Sequence, residues 1–528
     1  MKVYRLAAVA VAGVAWGFAP AGAEDAPKWG AHVDLEGKLG TDRHLGEVDL
    51  FVPLAQDGRT LLFTDIRTRM DDSDSREGNV GLGLRHMLDS GWNLGGYGYF
   101  DRRRSEYHNY FNQVTLGAEA LSLDWDVRGN VYAPIGRTSR EVDSLNTAEI
   151  SGTSVIFRGG EERALGGFDA EIGWRVPLFA PEAGQQLRLY AGGYRFADDD
   201  APTVAGPRGR AEMVFDEVPG LWDGARLSLG AEWQRDDPRG SQGFLSARLR
   251  IPLQAEASAS RLTPMERRMT DPIVRDVDVV AQAGTFGPAE TAVAGNGGVL
   301  RVVNSAATTT TAALQNELNT AGVGSTVILS GTFNTNAQVN MSDGQTLMAG
   351  TVAVRSPSGR VATLNTSATI AAATNATDYV VNMARGATVS GLTVTNFKTD
   401  GTAAWGITAQ GRSDVVIRGN TVSVTSDAGG AIAIDARTTT NANVIGNTIN
   451  AISAAVVANG IYLQSADNIT VAGNSFNSVG VSRNAISGNQ WTSFSAASTG
   501  NVAVSGGCTF DGATPPPANI SFTNISCP

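Results

Sequence analysis

The chain has 528 residues, too many for one ordinary hydrophobic core, so two or more domains are expected. Its formal net charge of −11 gives no support to nucleic-acid binding. Past the N-terminus no run reaches the roughly 18–20 consecutive apolar residues of a membrane helix, which excludes an α-helical membrane protein.

The first residues read as an export signal over 1–23. Lys2 and Arg5 form a basic start, and Leu6 to Phe18 is apolar. Ala21-Gly22-Ala23 supplies small residues for cleavage after Ala23. The shortness of the apolar run argues against an uncleaved anchor.

From Ala31 to Leu253 apolar side chains alternate with charged or tiny ones. Phe168, Ala170, Ile172, Trp174 and Val176 alternate with Asp169, Glu171, Gly173 and Arg175; Leu245, Ala247, Leu249 and Ile251 alternate with Ser246, Arg248 and Arg250. A period of two puts each set on its own face of a sheet. A soluble sandwich turns the apolar face inward, whereas a membrane barrel gives it to lipid and the charges to a wet lumen. Strands are predicted near 30–39, 43–54, 59–70, 77–88, 92–102, 109–121, 122–135, 164–177, 186–196, 207–217, 223–235 and 241–253. Short turns such as Ala55-Gln56-Asp57-Gly58, Asp89-Ser90-Gly91 and Val218-Pro219-Gly220 alternate with longer polar connections at Asp71 to Arg76, Arg103 to His108, Gly136 to Arg163, Ala197 to Gly206 and Asp236 to Gly240. An even strand number with long loops biased to one end is the outer-membrane layout, so 24–253 is assigned to a barrel. Asn146 to Gly160 is either a loop hairpin or an extra strand pair.

Residues 254–286 form a linker. Thr263-Pro264-Met265-Glu266 has the N-cap, first-turn proline and third-residue acid of a capping box, and Asp271-Pro272 ends the short helix. An extended run follows from Ile273 to Val280. The linker either threads the lumen or stays behind as a periplasmic tether. Inward charges such as Asp169, Glu171, Arg248 and Arg250 suit a threaded linker better than a catalytic or selectivity site.

Over 287–528 the composition shifts to Ala, Thr, Asn, Ser and Val, with Lys398 the one lysine. Ala312 to Ala321 is amphipathic and suited to cap a first coil. Ile417-Arg418-Gly419-Asn420-Thr421-Val422, Ile445-Gly446-Asn447-Thr448-Ile449 and Val471-Ala472-Gly473-Asn474-Ser475-Phe476 repeat one motif, the glycines 27 residues apart, with Gly391 sitting 28 earlier. Such a period, with β-branched strands split by Gly-Asn turns, reads as a right-handed parallel β-helix. Asn420, Asn447 and Asn474 are expected to stack as a turn ladder, asparagine tolerating the left-handed conformation. Cys508 and Cys527, the only cysteines, are most simply one disulfide in an exported chain, two free thiols being the alternative. The fold class is therefore all-β: a transmembrane antiparallel barrel of about twelve strands, then a parallel β-helix.

The first part resembles the translocation barrel of inverse autotransporters, the intimin and invasin family. The resemblance covers about residues 30–280 and is strongest over Gly78 to Gly136. It runs through Asn79-Val80-Gly81-Leu82-Gly83-Leu84-Arg85, Gly91-Trp92-Asn93-Leu94-Gly95-Gly96-Tyr97, Leu116-Gly117-Ala118-Glu119-Ala120 and Asn130-Val131-Tyr132. It implies an outer-membrane barrel that displays a C-terminal passenger. Family passengers commonly carry Ig-like repeats and a lectin-like tip, where this chain carries a β-helix. It also shows no peptidoglycan-binding module before the barrel and ends the last strand in Ile251-Pro252-Leu253 in place of an aromatic residue.

Parallel β-helices also host pectate lyases and polygalacturonases, which need clustered acids. Here Glu290 and Glu317 are the only passenger glutamates, histidine is absent, and Asp378, Asp400, Asp414, Asp427, Asp435, Asp467 and Asp511 are scattered. Asp435 with Arg437 is the best local pair, read as a solvated strand end. Glycoside chemistry requires paired carboxylates. Trp405 and Trp491 either stack on sugar or pack the coils, the latter preferred. No catalytic, metal or cofactor residue is assigned. The expected role is an adhesin. Its partners would be outer-membrane lipid, the barrel assembly machinery, periplasmic chaperones and a protein or glycan on a host or bacterial surface. A polysaccharide-degrading passenger and a porin with a periplasmic β-helix are the rivals.

Overall fold

The computed structural model describes residues 28–524 except 181, 217, 219, 223, 254–261, 277, 296 and 513–517. The signal peptide and the cleavage point after Ala23 lie outside the described residues. Contacts divide the chain into two compact units. One holds the chain up to residue 140 with 163–282; the other holds 141–162 with 283–528. No helix among the described residues is long and apolar enough to cross a membrane.

In the first unit 12 antiparallel strands close into a barrel. They are β1 (His32–Gly40), β2 (His44–Gln56), β3 (Thr60–Asp71), β4 (Arg76–Met87), β5 (Trp92–Arg104), β6 (Tyr110–Ser122), β7 (Trp125–Ile135), β8 (Gly166–Val176), β9 (Gln185–Asp198), β10 (Ala201–Asp216), β11 (Arg226–Asp236) and β12 (Gly240–Pro252). β1 closes on β12 with Asp34 opposite Arg250 and Leu35 opposite Leu249. The alternation resolves into two faces. Leu82, Leu116, Val131, Phe168 and Leu245 stand 52–63% exposed outside, while Asp65, Arg67, Arg85, Asp101 and Glu119 lie inside at 5% or less. Apolar side chains outward and charges inward is the arrangement lipid favours and water does not. Inner aromatics demand glycine opposite them: a Cβ on Gly81 would stand 2.3 Å from the Tyr99 ring, and one on Gly83 2.3 Å from Phe63.

Two connections differ from the sequence reading. The expected loop from Ala197 to Gly206 is strand, because Phe196 and Val204 continue the inner face into a buried cluster with Tyr132, Leu165 and Tyr194; the turn is only Asp199-Asp200. Conversely, 217–225 is longer than the turn read at 218–220, because Leu221 and Ala225 donate back to Val218 and Trp222 in successive turns. The bias of long connections to one end therefore rests on 136–165 alone. Within that connection Asn146 to Gly160 is a hairpin, Thr147–Ser151 with Ser154–Arg158, which stands outside the barrel sheet.

The second unit is a parallel β-solenoid. Thr388, Val416, Asn443 and Thr470 lie in register on one sheet; Thr393, Thr421, Thr448 and Ser475 on a second; Trp405, Ile432, Asn459 and Asn484 on a third. Side chains one residue on in the first two sheets, and two residues on in the third, stack as columns inside. Val389, Ile417, Val444 and Val471 form one; Val394, Val422, Ile449 and Phe476 another; Ile407, Ile434, Ile461 and Ile486 a third, all 0% exposed. Each such burial contributes roughly 1.5–3 kcal/mol, which explains why β-branched residues recur at those positions. A helix, Thr311–Ala321, starts at the N-cap of Thr310 and buries Leu314 and Leu318 in the same core.

The turn ladder runs through the core side. Asn447 donates from Nδ2 to the carbonyl of Ile417 (2.9 Å) and to Oδ1 of Asn474 (2.9 Å), and its own Oδ1 accepts from the Asn420 amide (2.9 Å). Asn420 and Asn474 repeat the pattern, and Asn501 extends it by one rung. The left-handed residue is not asparagine, as the sequence suggested, but the glycine before it: Gly419, Gly446 and Gly473 have φ of +62°, +65° and +63°. Glycine takes that conformation without strain, which frees each asparagine to turn inward and satisfy buried backbone. Cys508 is disulfide-bonded; Cys527 lies outside the described residues.

Candidate functional site in the barrel lumen

The linker passes through the barrel. It begins with the short helix Pro264–Arg267, whose capping box is complete: the Glu266 amide donates to Thr263 Oγ1 (3.4 Å) and the Thr263 amide to Glu266 Oε2 (2.8 Å). Trp29 Nε1 donates to the Glu266 carbonyl at 2.8 Å, and Lys28 pairs with the Glu266 carboxylate at 2.5 Å. These contacts hold the helix beside the start of β1.

Beyond the helix a single 3-10 turn, Arg268–Thr270, leads into an extended segment with no ladder of its own, so its backbone must be satisfied by the wall. Arg85 Nη1 donates to the carbonyls of Met269 (2.8 Å) and Asp271 (2.7 Å). Arg67 donates to that of Ile273 (2.9 Å) and Arg103 to that of Val279 (2.7 Å). The Asp276 amide donates to the Tyr132 hydroxyl (2.6 Å), the Val279 amide to Glu77 (2.9 Å), and the Leu165 amide to the Val280 carbonyl (2.8 Å).

Linker charges answer wall charges along the same path. Arg268 pairs with Asp126 (2.6 Å), Asp271 with Arg226 (2.7 Å), Arg275 with Asp101 (3.0 Å) and Asp278 with Arg69 (2.9 Å) and Arg43. Met269 and Ile273 pack on Phe51, Phe63, Tyr97 and Tyr99 in one buried cluster. Of the inward charges singled out in the sequence, two touch the linker. Arg250 donates to Thr270 Oγ1 (3.2 Å) besides its bidentate pair with Asp34, and Asp169 accepts from the Asp276 amide (3.3 Å). Glu171 and Arg248 instead pair within the wall, with Arg128 and Arg210, and with Glu36. Beside the linker, along β9 to β12 and β1–β2, a cavity of about 130 Å³ remains, lined by Arg188, Arg208, Arg210, Arg226 and Arg248 among others.

The linker's backbone-satisfying partners were not legible in the sequence. Tyr132, Arg67 and Arg85 look like ordinary inward strand residues, and only the fold brings them to the threaded segment.

On the solenoid, Asp435 and Arg437 differ from the sequence reading. Asp435 is 0% exposed and held bidentate by Arg437 at 2.8 and 2.9 Å. The guanidinium lies 5.1 Å from the Trp405 ring and 5.2 Å from that of Tyr462, and the Tyr379 ring lies tilted against Trp405 at 5.1 Å. The carboxylate is thus covered by Arg437 and by rings from neighbouring coils, which is why it is not a solvated strand end. Burial and the nearby Asp435 carboxylate raise the Tyr379 hydroxyl above its usual pKa. In register with Asp435 stand Thr408 and Tyr462, so no second carboxylate adjoins it. Trp491 is 68% exposed and does not pack the coils. Among the described residues no group of three or more His, Cys, Asp or Glu side chains is placed to hold a metal ion.

Residues 28–196 match the family model of the inverse autotransporter β-domain. No curated protein matches the chain. Similar solved structures include the β domain of the Bordetella autotransporter BrkA, at 11% identity over 42% of this chain and 98% of that one, with a TM-score of 0.24. An outer membrane channel from Pseudomonas putida F1 is similar at 13% identity over 44% of this chain and 99% of that one, TM-score 0.31. The NanC porin is similar at 9% identity over 42% and 100%, TM-score 0.26.

Proposed function

We propose that this inverse autotransporter β-domain, with the strands that complete its barrel, anchors the chain in the outer membrane and displays the β-helix on the cell surface as an adhesin. The course of the linker carries the reading. β12 ends where β1 begins, the chain enters the lumen at Thr263, and it leaves at Val280 beside Leu165, at the end from which the 136–165 connection departs. A porin keeps its lumen for solute. Here the linker occupies the lumen and is bonded to the wall along its course, which favours an exporter over a pore.

On this reading the barrel meets outer-membrane lipid, the assembly machinery and periplasmic chaperones, and the β-helix meets a protein or glycan on a host or bacterial surface. On the same reading the passenger binds and does not turn over substrate: among its described residues the one enclosed carboxylate, Asp435, is neutralised by Arg437, whereas glycoside cleavage needs two acids placed across the bond. Protease shaving of intact cells tests display. Passenger fragments are expected in the supernatant, and an uncut passenger in cells with confirmed expression overturns the reading. Release of reducing or unsaturated sugar from a polysaccharide panel by the full chain would replace the adhesin with an enzyme.

A further inference from the structure

The hairpin of Thr147–Ser151 and Ser154–Arg158 lies between β7 and β8 in sequence, yet it folds with the solenoid unit. Its second strand pairs antiparallel with Ala289–Thr291, Ile156 opposite Thr291 and Phe157 opposite Glu290. The Ala292 amide donates to the Val155 carbonyl (2.8 Å) and the Val302 amide to that of Thr153 (2.9 Å). Val155 and Phe157 are 1% and 0% exposed, packed against Val302, Ile328, Val352, Val354 and Leu364. Those partners are not the coil interior. Val303, Val327 and Leu329, the neighbours of Val302 and Ile328, point into the main core. Val302 and Ile328 therefore stand on the outer flank of the first coils, and the hairpin covers them. Arg360 ties the same connection down through Asp143 (3.0 Å), Asn146 (2.6 Å) and the Gly160 carbonyl (2.8 Å).

We infer that this barrel connection is the template on which the passenger begins to fold. A solenoid folds by nucleating one coil and adding neighbours. Its first coil is the hardest, because parallel pairing closes long loops before any coil exists to pair with. The hairpin removes that difficulty. It is tethered to the barrel, carries an apolar strand face of Val155 and Phe157, and offers a strand edge to Ala289–Thr291, among the first passenger residues after the linker. Tethering makes the encounter intramolecular and raises its effective concentration to the millimolar range. The exposed residues Thr147, Glu149, Ser151 and Arg158 keep the other face soluble.

The inference rests on the display reading for its place in the cell but not for its chemistry, so two arms separate them. In the first, the full chain is refolded from urea into detergent, and the appearance of trypsin-resistant passenger is followed in time. Phe157→Asp is expected to slow that appearance at least tenfold, while Phe157→Leu stays near wild type and Glu149→Gln is unchanged. The heat-modifiable gel shift of the folded barrel is expected to persist in all three. An unchanged rate in Phe157→Asp overturns the inference, as does a normal rate with only the final resistance lost, which would make the hairpin a mere cover. In the second arm a C-terminal epitope tag is labelled on intact cells; failure there in the wild type sinks display and leaves the first arm to decide the template.

Discussion

Arg275 of the linker and Asp101 of β5 meet at 3.0 Å with neither side chain reaching solvent. Asp101 is also held by Asn79 (2.7 Å), Thr115 (2.6 Å) and Gln113 (3.3 Å), whereas Arg275 has the Tyr99 ring at 4.2 Å and a long bond to the Asp276 carbonyl (3.5 Å). The two partners are therefore unequally supported, and removing either one has a different cost.

Asp101→Ala leaves a buried arginine without a counter-charge, a loss of roughly 3–5 kcal/mol. Arg275→Ala leaves Asp101 with three hydrogen-bond donors, Asn79, Thr115 and Gln113, and is expected to cost clearly less. In planar bilayers Asp101→Ala should raise the open-channel conductance of the purified protein well above Arg275→Ala. Equal conductances would show that this pair does not seat the linker.

Leu82 lies at the middle of β4 and is 58% exposed on the outer face, whereas Leu39 is near the end of β1. With lipid outside, Leu82→Arg should destabilise folding into liposomes by roughly 2–4 kcal/mol and Leu39→Arg by about 0–1 kcal/mol. Urea titrations in vesicles read the difference. No penalty at either site would return the strands to a soluble sheet.

Asn447 sits mid-ladder, so Asn447→Ala takes the side-chain partner from the Ile417 carbonyl and from the Asn420 amide together, while Asn474 Oδ1 keeps the backbone amide of residue 447. At about 1 kcal/mol or more for each buried group left unpaired, the passenger should lose roughly 2 kcal/mol. Limited proteolysis of the full chain across a urea series measures this. A shift of the midpoint within error would mean that the amide columns do not hold the coils.

Arg437→Ala should cost roughly 3–5 kcal/mol, because Asp435 is then left enclosed and unpaired. Replacing both, as Asp435→Asn with Arg437→Met, is expected to recover most of the loss. A single-mutant effect under about 1 kcal/mol is what a solvent-exposed pair gives, and would place the pair in water.

Much of the barrel was readable because lipid and lumen impose opposite demands on alternate residues, so Phe168 and Asp169 declare the two faces themselves. The repeat was readable because Gly419, Gly446 and Gly473 each mark a turn. Less legible was anything decided between distant segments. Phe196 and Val204 look like loop-flanking residues until Tyr132 and Leu165 supply their cluster. Asn501 follows Gly500 at the same 27-residue step, but Ser498 stands there where Ile417, Val444 and Val471 mark the strand before the other glycines, so the apolar half of the motif is missing. Val155 and Phe157 gave only a short apolar alternation inside a polar connection. Their partners lie more than a hundred residues away, and no local pattern carries that information.

The rungs at Asn420, Asn447, Asn474 and Asn501 are interchangeable, each joined to the next by the same bonds across 27 residues. Duplicating or losing one whole repeat leaves every amide with a mate, while a change of any other length breaks the column. Evolution can therefore tune the length of the rod in whole steps of about 4.8 Å, like adding links to a chain, without redesigning the membrane anchor.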